Sequence, residues 1–206
     1  MNKRQFLTQA SATSLAGTGL LATSRVAAQP SVRQIKVLIA YHSATGNTEK
    51  MAQGVTEGAK SVAGTNAILK RVKEIEPEDL LSSDAVVVGS PVYFGTMSGE
   101  VKTFFDDWLL KFQVFPGKML NKVGAAFVTG TAISNGKETT MQAIHAAMLI
   151  NQMTIVSAGG AFGAFGASAT TGPDSPGIDE KELESARALG KRVAEFTAII
   201  QRDTKN

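Results

Sequence analysis

The sequence predicts an α/β protein built on a doubly wound parallel sheet. Short apolar runs alternate with amphipathic helical stretches along the whole body of the chain. The runs at 35–41 and 84–89 are almost wholly apolar rather than alternating, as expected for strands buried on both faces. Loops rich in glycine and hydroxyl residues follow several of these runs, where such sheets place their ligands.

In chain order, Ile35-Lys36-Val37-Leu38-Ile39-Ala40-Tyr41 reads as a buried first strand. Glu49 to Val62 follows as a helix, with Met51, Ala52, Val55, Ala59 and Val62 at helical spacing. Ala67 to Val72 is a short second strand whose mixed character places it at a sheet edge. Asp84 to Gly89 is the third strand and central. Ser98 caps a helix reaching Leu110, with Val101, Phe104, Phe105 and Trp108 on its buried stripe. Lys122 to Val128 is the fourth strand. The helix after it, Lys137 to Asn151, carries Met141, Ile144, Ala147 and Met148 on one side. Met153 to Ser157 is the fifth strand, and Asp179 to Gln201 a long closing helix. Right-handed crossovers then put helices on both faces of the sheet. Gly159 to Gly177 is the one long irregular stretch, and its length points to function rather than mere connection.

At 206 residues and 43% hydrophobic, the chain suits one such domain, read as 33–203. Its formal charge of +3 comes from Lys3, Arg4 and Arg25, which have no acidic companion before residue 29. The remainder balances 18 basic against 18 acidic residues, so neither nucleic acid nor an anionic membrane is called for as partner. With no cysteine there is no disulfide, thiolate nucleophile, Cys-ligated zinc or iron–sulfur cluster. With only His42 and His145, a poly-His metal site is also excluded, so no metal is expected.

Residues 1–28 read as an export leader. Lys3-Arg4-Gln5-Phe6-Leu7 precedes an uncharged Ala/Ser/Thr/Gly/Leu stretch and then Val26-Ala27-Ala28, with cleavage expected before Gln29. The apolar part is too short for a stable membrane span. Lys3-Arg4-x-Phe6-Leu7 is similar to a twin-arginine signal with Lys in the first Arg place; a general secretory signal or a disordered tail is the alternative. Either route gives a periplasmic protein, and the twin-arginine route would let a cofactor load before export.

Three strand-end loops carry the candidate site. Ser43-Ala44-Thr45-Gly46-Asn47-Thr48 joins a buried strand to a helix start, which presents free backbone N–H groups and hydroxyls to a phosphate. It lacks Lys and Arg, so a phosphate monoester suits it better than a triphosphate, which would call for G-x-x-x-x-G-K-[ST]. Thr45 and Asn47 would equally serve as ordinary helix caps. The second loop runs from Ser90 to Ser98. Pro91 stiffens its entry, Val92 leads to the aromatic Tyr93 and Phe94, and Gly95 admits close backbone approach. The third, Thr129-Gly130-Thr131-Ala132-Ile133-Ser134-Asn135-Gly136, offers amides and hydroxyls. Together they suit a flat heteroaromatic ring bearing a phosphorylated side chain.

Ser43 to Thr48 resembles the flavodoxin phosphate loop, S/T-x-T-G-x-T. Ser90-Pro-Val-Tyr-Phe-Gly-Thr-Met-Ser-Gly99 with Phe104-Phe105-Asp106 is similar to NAD(P)H:quinone oxidoreductases of the tryptophan-repressor-binding-protein type. So are Thr129-Gly130-Thr131, Gly136 to Thr140, Gly163 to Ala167 and Gly172-Pro173-Asp174. The likeness covers about Ile35 to Phe196. It implies a three-layer α/β/α flavodoxin-like sandwich, a five-stranded parallel sheet in order 2-1-3-4-5, and bound FMN. Ser43, Thr45, Gly46, Asn47 and Thr48 would hold the phosphate. Val92, Tyr93 and Phe94, with Thr129, Gly130 and Thr131, would flank the isoalloxazine. Where the reductases carry a His-His-Gly run after the fourth helix, this chain has Ile150-Asn151-Gln152. Their tryptophan after the preceding helix falls on Phe112, which would keep an aromatic wall.

The activity this implies is hydride transfer from NAD(P)H to the flavin N5 and on to a quinone, with the protein supplying position and electrostatics. No side chain is expected to act as catalytic acid or base, although amides of Gly130 and Thr131 would steady charge on a reduced ring. His145, mid-helix, reads as structural, and Glu138 as a helix-terminus charge partner. The alternatives are a flavodoxin-like one-electron carrier in the cell envelope, or a binding protein that has lost its flavin. A homo-oligomer is compatible with the resemblance.

Overall fold

The computed structural model describes residues 34–159, 163–172 and 177–203. The leader read at 1–28, and Pro173-Asp174, lie outside them. The described elements are β1 (Ile35–Tyr41), α1 (Asn47–Lys60), β2 (Thr65–Arg71), α2 (Pro77–Ser82), β3 (Ala85–Tyr93), β4 (Thr96–Met97), α3 (Gly99–Leu110), β5 (Val123–Gly130), α4 (Lys137–Ile150), β6 (Thr154–Ile155), β7 (Ala167–Thr170) and α5 (Glu180–Asp203).

The sheet runs β2-β1-β3-β5-β6, every neighbouring pair parallel. With the two-residue β4 set aside, this is the expected 2-1-3-4-5. β1 shows why its run is continuously apolar. Val37 and Ile39 face a core shared with α1 and α5, while Leu38 and Ala40 face a second core shared with α2, α3 and α4. Trp108, Ile144 and Met148 fill that second core, with Trp108 edge-on to Phe104 at 5.6 Å between ring centroids. β2 lies at the edge and is mostly half-buried, in keeping with its mixed sequence.

α1 and α5 approach closely because small residues meet at the crossing. A Cβ on Gly58 would sit 1.9 Å from the Arg187 carbonyl oxygen, and one on Gly190 1.9 Å from that of Val55.

Several boundaries differ from the sequence reading, each for a physical reason. α1 begins at Asn47 rather than Glu49. β2 runs from Thr65 to Arg71, and Val72 instead opens a 3₁₀ turn. α2 has six residues, too few for periodicity to show. It is held by Pro77 in its first turn and a reciprocal cap between Glu76 and Asp79. The fifth strand is split. Only Thr154–Ile155 pairs with the start of β5, at Val123–Gly124, while Ala167–Thr170 pairs with its end, at Phe127–Gly130. The second half lies within the Gly/Ala/Ser-rich stretch read as irregular, because alanine and serine are poor strand markers. Gly166 turns the chain into it at φ 136°, and a Cβ there would strike the Ala126 carbonyl oxygen at 2.0 Å.

Candidate functional site

The first loop leaves β1 at the carboxyl edge of the sheet. Gly46 is the N-cap of α1, in the left-handed conformation at φ 89°, and no side chain caps the first turn. Thr45 and Asn47 therefore do not act as caps; the Asn47 side-chain amide donates to Thr45 Oγ1 at 3.2 Å. Uncapped first-turn amides are what an anion needs. Ser43 Oγ accepts from the Gly46 N–H at 3.1 Å, tightening the loop. Thr48 is buried, its Oγ1 2.8 Å from Thr129 Oγ1.

Charge does lie beside this loop, although not in it. Arg71, the last residue of β2, donates to the Ser43 carbonyl at 3.1 Å and to Glu49 Oε2 at 2.6 Å. The Tyr41 hydroxyl donates to Glu49 Oε1 at 2.8 Å, and the guanidinium lies 5.3 Å from the Tyr41 ring centroid. Reading the sequence loop by loop missed this trio. The β1–β2 register, which sets Tyr41 opposite Arg71, is the signal that finds it.

The second loop is a hairpin. β3 continues to Tyr93 and turns back through β4, with Tyr93 paired to Thr96. Phe94 (φ 49°) and Gly95 (φ 82°) form its two-residue turn, both at positive φ, as type I′ geometry requires. Ser90 closes the base: its Oγ donates to the Pro91 carbonyl at 2.8 Å and accepts from the Ser98 N–H at 3.0 Å. Ser98 is the expected N-cap of α3, accepting from the Val101 N–H. Phe94 is fully exposed at the tip, and Tyr93 is partly exposed beside it.

The third loop meets both others. Thr129, last but one in β5, touches Thr48 of the first loop. At its far end, a Cβ on Gly136 would lie 2.6 Å from Gly95 Cα, and Thr139 Oγ1 donates to the Gly95 carbonyl at 3.1 Å. The Asn135 amide, oriented to satisfy both ends, accepts from the Thr131 N–H and donates to the Ala132 carbonyl, each at 3.1 Å. The Thr131 amide is thus committed within the loop rather than open to a reduced ring. Lys137, also missed by the sequence reading, opens α4 with Nζ 2.6 Å from Thr170 Oγ1. Burial pulls its amine below the usual lysine value, opposed by the nearby Glu182 carboxylate.

Two other candidates fall elsewhere. His145 is buried with Nε2 unpartnered, and burial lowers its pKa, in keeping with a structural role. Phe112 is buried 6.5 Å from Phe104 between ring centroids, so it serves the core rather than an aromatic wall at the site. A largely apolar cavity of about 690 Å³ opens between α3 and α4 and reaches the hairpin at Thr96 and Met97. Among the described residues no cluster of three His, Asp or Glu side chains is placed to hold a metal, and no helix is long and apolar enough to cross a membrane.

A 2-1-3-4-5 parallel sheet with a hydroxyl-rich first turn defines a flavodoxin-like protein. Comparison with known proteins agrees. Residues 70–167 match the family model described as NADPH-dependent FMN reductase. A flavodoxin of Aquifex aeolicus is 39% identical over 80% of this chain and 88% of its own length. An NAD(P)H dehydrogenase (quinone) of Chromohalobacter salexigens is 30% identical over 80% of this chain and 98% of its own. Among solved structures, a flavodoxin, WrbA-like protein from Agrobacterium tumefaciens superposes with TM-score 0.65 at 27% identity, covering 79% of this chain and 97% of that one. The chain belongs to the flavodoxin-like family of these relatives.

Proposed function

We propose that this protein is an FMN-dependent oxidoreductase that reduces quinones with NAD(P)H. The observation that carries the reading is the junction of three loops on one sheet edge, sealed by the Thr48–Thr129 hydroxyl pair and by Gly136 against Gly95. The residues fit the cofactor: the Gly46 cap leaves the first turn of α1 open, and a Cβ at Gly46 would meet nothing within 4 Å. Ser43, Thr45, Gly46, Asn47 and Thr48 would hold the phosphate through hydroxyls and amides. Pro91, Val92, Tyr93, Phe94 and Gly95 on one side, and Thr129, Gly130 and Thr131 on the other, would bracket the isoalloxazine.

FMN, with its phosphate held by Ser43 to Thr48 and its ring between the second and third loops, would supply the redox chemistry, hydride transfer between a nicotinamide and a quinone. The chain's contribution is placement. The hairpin tip offers aromatic surface to a flat substrate, and the groove between α3 and α4 gives an apolar approach to Thr96 and Met97. No side chain is required as acid or base. The names of the quinone-reducing relatives support this reading; the name of the Aquifex relative favours a second, a one-electron carrier.

We also assign residues 33–203 to the flavin domain and residues 1–28 to a leader that directs it to the periplasm through the twin-arginine route. Replacing Lys3 and Arg4 together with Gln should then retain the protein in the cytoplasm.

Anaerobic titration of the purified protein loaded with FMN tests the activity. Bleaching by NADH or NADPH and recovery of colour on adding a benzoquinone is the expected result. A flavin reduced by dithionite and by neither nicotinamide would favour the carrier.

A further inference from the structure

Behind the first loop lies a trio of contacting side chains, Arg71, Tyr41 and Glu49. Arg71 comes from the edge strand, Tyr41 from the end of β1 and Glu49 from the first turn of α1, so three elements meet around one carboxylate. Both oxygens of that carboxylate are taken, Oε1 by the Tyr41 hydroxyl at 2.8 Å and Oε2 by Arg71 at 2.6 Å. The other arm of the guanidinium holds the Ser43 carbonyl at 3.1 Å. A forked donor can grip a carboxylate and a carbonyl at once, whereas an ammonium acts as a single point charge.

Glu49 sits next to Thr48, at the helix end where a dianion would dock. Left bare, its charge would repel that dianion across a short distance. Bound on both oxygens, it becomes a strut. Burial and the hydrogen bond to Glu49 push the Tyr41 phenol up to about 12, so its hydroxyl remains a proton donor throughout the working range.

We propose that Arg71, braced by Glu49 and Tyr41, is a positioning residue that holds the Ser43–Thr48 loop in its phosphate-receiving shape before the cofactor arrives. Arg71 reaches the loop through a backbone carbonyl and is already paired, so its effect is pre-organisation rather than direct phosphate neutralisation. This inference rests on the FMN reading and deepens it: Arg71 should control affinity for the phosphate end of the cofactor and leave affinity for its ring unchanged.

The test compares FMN with riboflavin, which has the same ring and no phosphate, binding to apoprotein by fluorescence quenching. Arg71→Met should weaken FMN binding about tenfold, the loss expected for one hydrogen bond to a charged group, and leave riboflavin binding unchanged. Arg71→Lys should restore part of the loss. Tyr41→Phe, which retains the ring under the guanidinium, should weaken FMN binding in the same direction by a smaller factor. Equal loss of FMN and riboflavin affinity in Arg71→Met and Tyr41→Phe would mark a general folding role and overturn the proposal, as would FMN affinity unchanged in both. Wild-type protein that binds neither molecule would overturn the cofactor reading itself, and this inference with it.

Discussion

Thr48 and Thr129 lie 81 residues apart in sequence, yet their hydroxyls share a buried hydrogen bond of 2.8 Å. Thr48 lies in the first turn of α1 and Thr129 is the last residue but one of β5. The bond thus joins the phosphate loop to a strand end two positions away across the sheet. Thr129→Val keeps the side-chain shape and removes the hydroxyl, leaving that of Thr48 without this partner. The expected loss is about 1 kcal/mol of stability, with FMN binding weakened about fivefold. Thr48→Val also removes a hydroxyl assigned to the phosphate and should weaken FMN binding about tenfold or more. Calorimetric titration of apoprotein with FMN measures both.

Phe94 occupies a left-handed position at φ 49° while exposing its whole ring. A bulky residue there is strained by about 1–3 kcal/mol, and exposure returns nothing to the core. Asn, which tolerates this conformation and suits type I′ turns, should relieve the strain. Phe94→Asn is expected to raise stability by about 1 kcal/mol in urea unfolding while lowering quinone reduction severalfold. Loss of both stability and activity would place the ring in the fold rather than the site.

The α1–α5 crossing tolerates no side chain at Gly190, where a Cβ would lie 1.9 Å from the Val55 carbonyl oxygen and 2.9 Å from the Ala59 nitrogen. Both neighbours are backbone, so a helix must move. Gly190→Ala should lower stability by about 1–3 kcal/mol or more. Gly99 is the control: a Cβ there meets nothing within 4 Å and the residue opens α3. Gly99→Ala should raise stability by about 0.4–1 kcal/mol. Thermal unfolding separates the two.

His145 gives a pH dependence of known sign. Burial lowers its pKa below the ordinary 6.5. As pH falls through that value the unfolded chain takes up the proton first, so the neutral buried ring contributes its stability in full above about 6.5 and loses it below. His145→Leu should therefore flatten the decline of unfolding free energy on the acid side of pH 6.5, measured in urea at several pH values.

What the sequence made legible follows from its periodicities. β1 and β3 read as buried strands because both faces are apolar, and α3 because Val101, Phe104, Phe105 and Trp108 fall on one stripe with Ser98 as cap. The split fifth strand was not legible, since Ala167-Ser168-Ala169-Thr170 alternates only small residues, a weak strand signal, and is marked as a strand by its pairing with β5. The hydroxyls of the first loop were visible as a motif. Arg71 was not, because its link to Ser43 depends on strand register rather than on any local pattern. The Ser90–Ser98 hairpin reads as a loop in sequence, where Pro91 stiffens its entry, yet Pro91 sits in register with Thr129 and β3 continues to Tyr93.

The central claim is that uncharged donors at the β1–α1 turn hold the FMN phosphate, with the ring between the hairpin and the end of β5. A crystal structure of the protein saturated with FMN tests it most directly. The phosphate should lie within hydrogen-bonding distance of the Ser43, Thr45 and Thr48 hydroxyls and the first-turn amides of α1, with Arg71 still on Ser43 and Glu49. FMN bound elsewhere, or its phosphate held by Arg71 with the Ser43–Thr48 loop empty, would contradict the account.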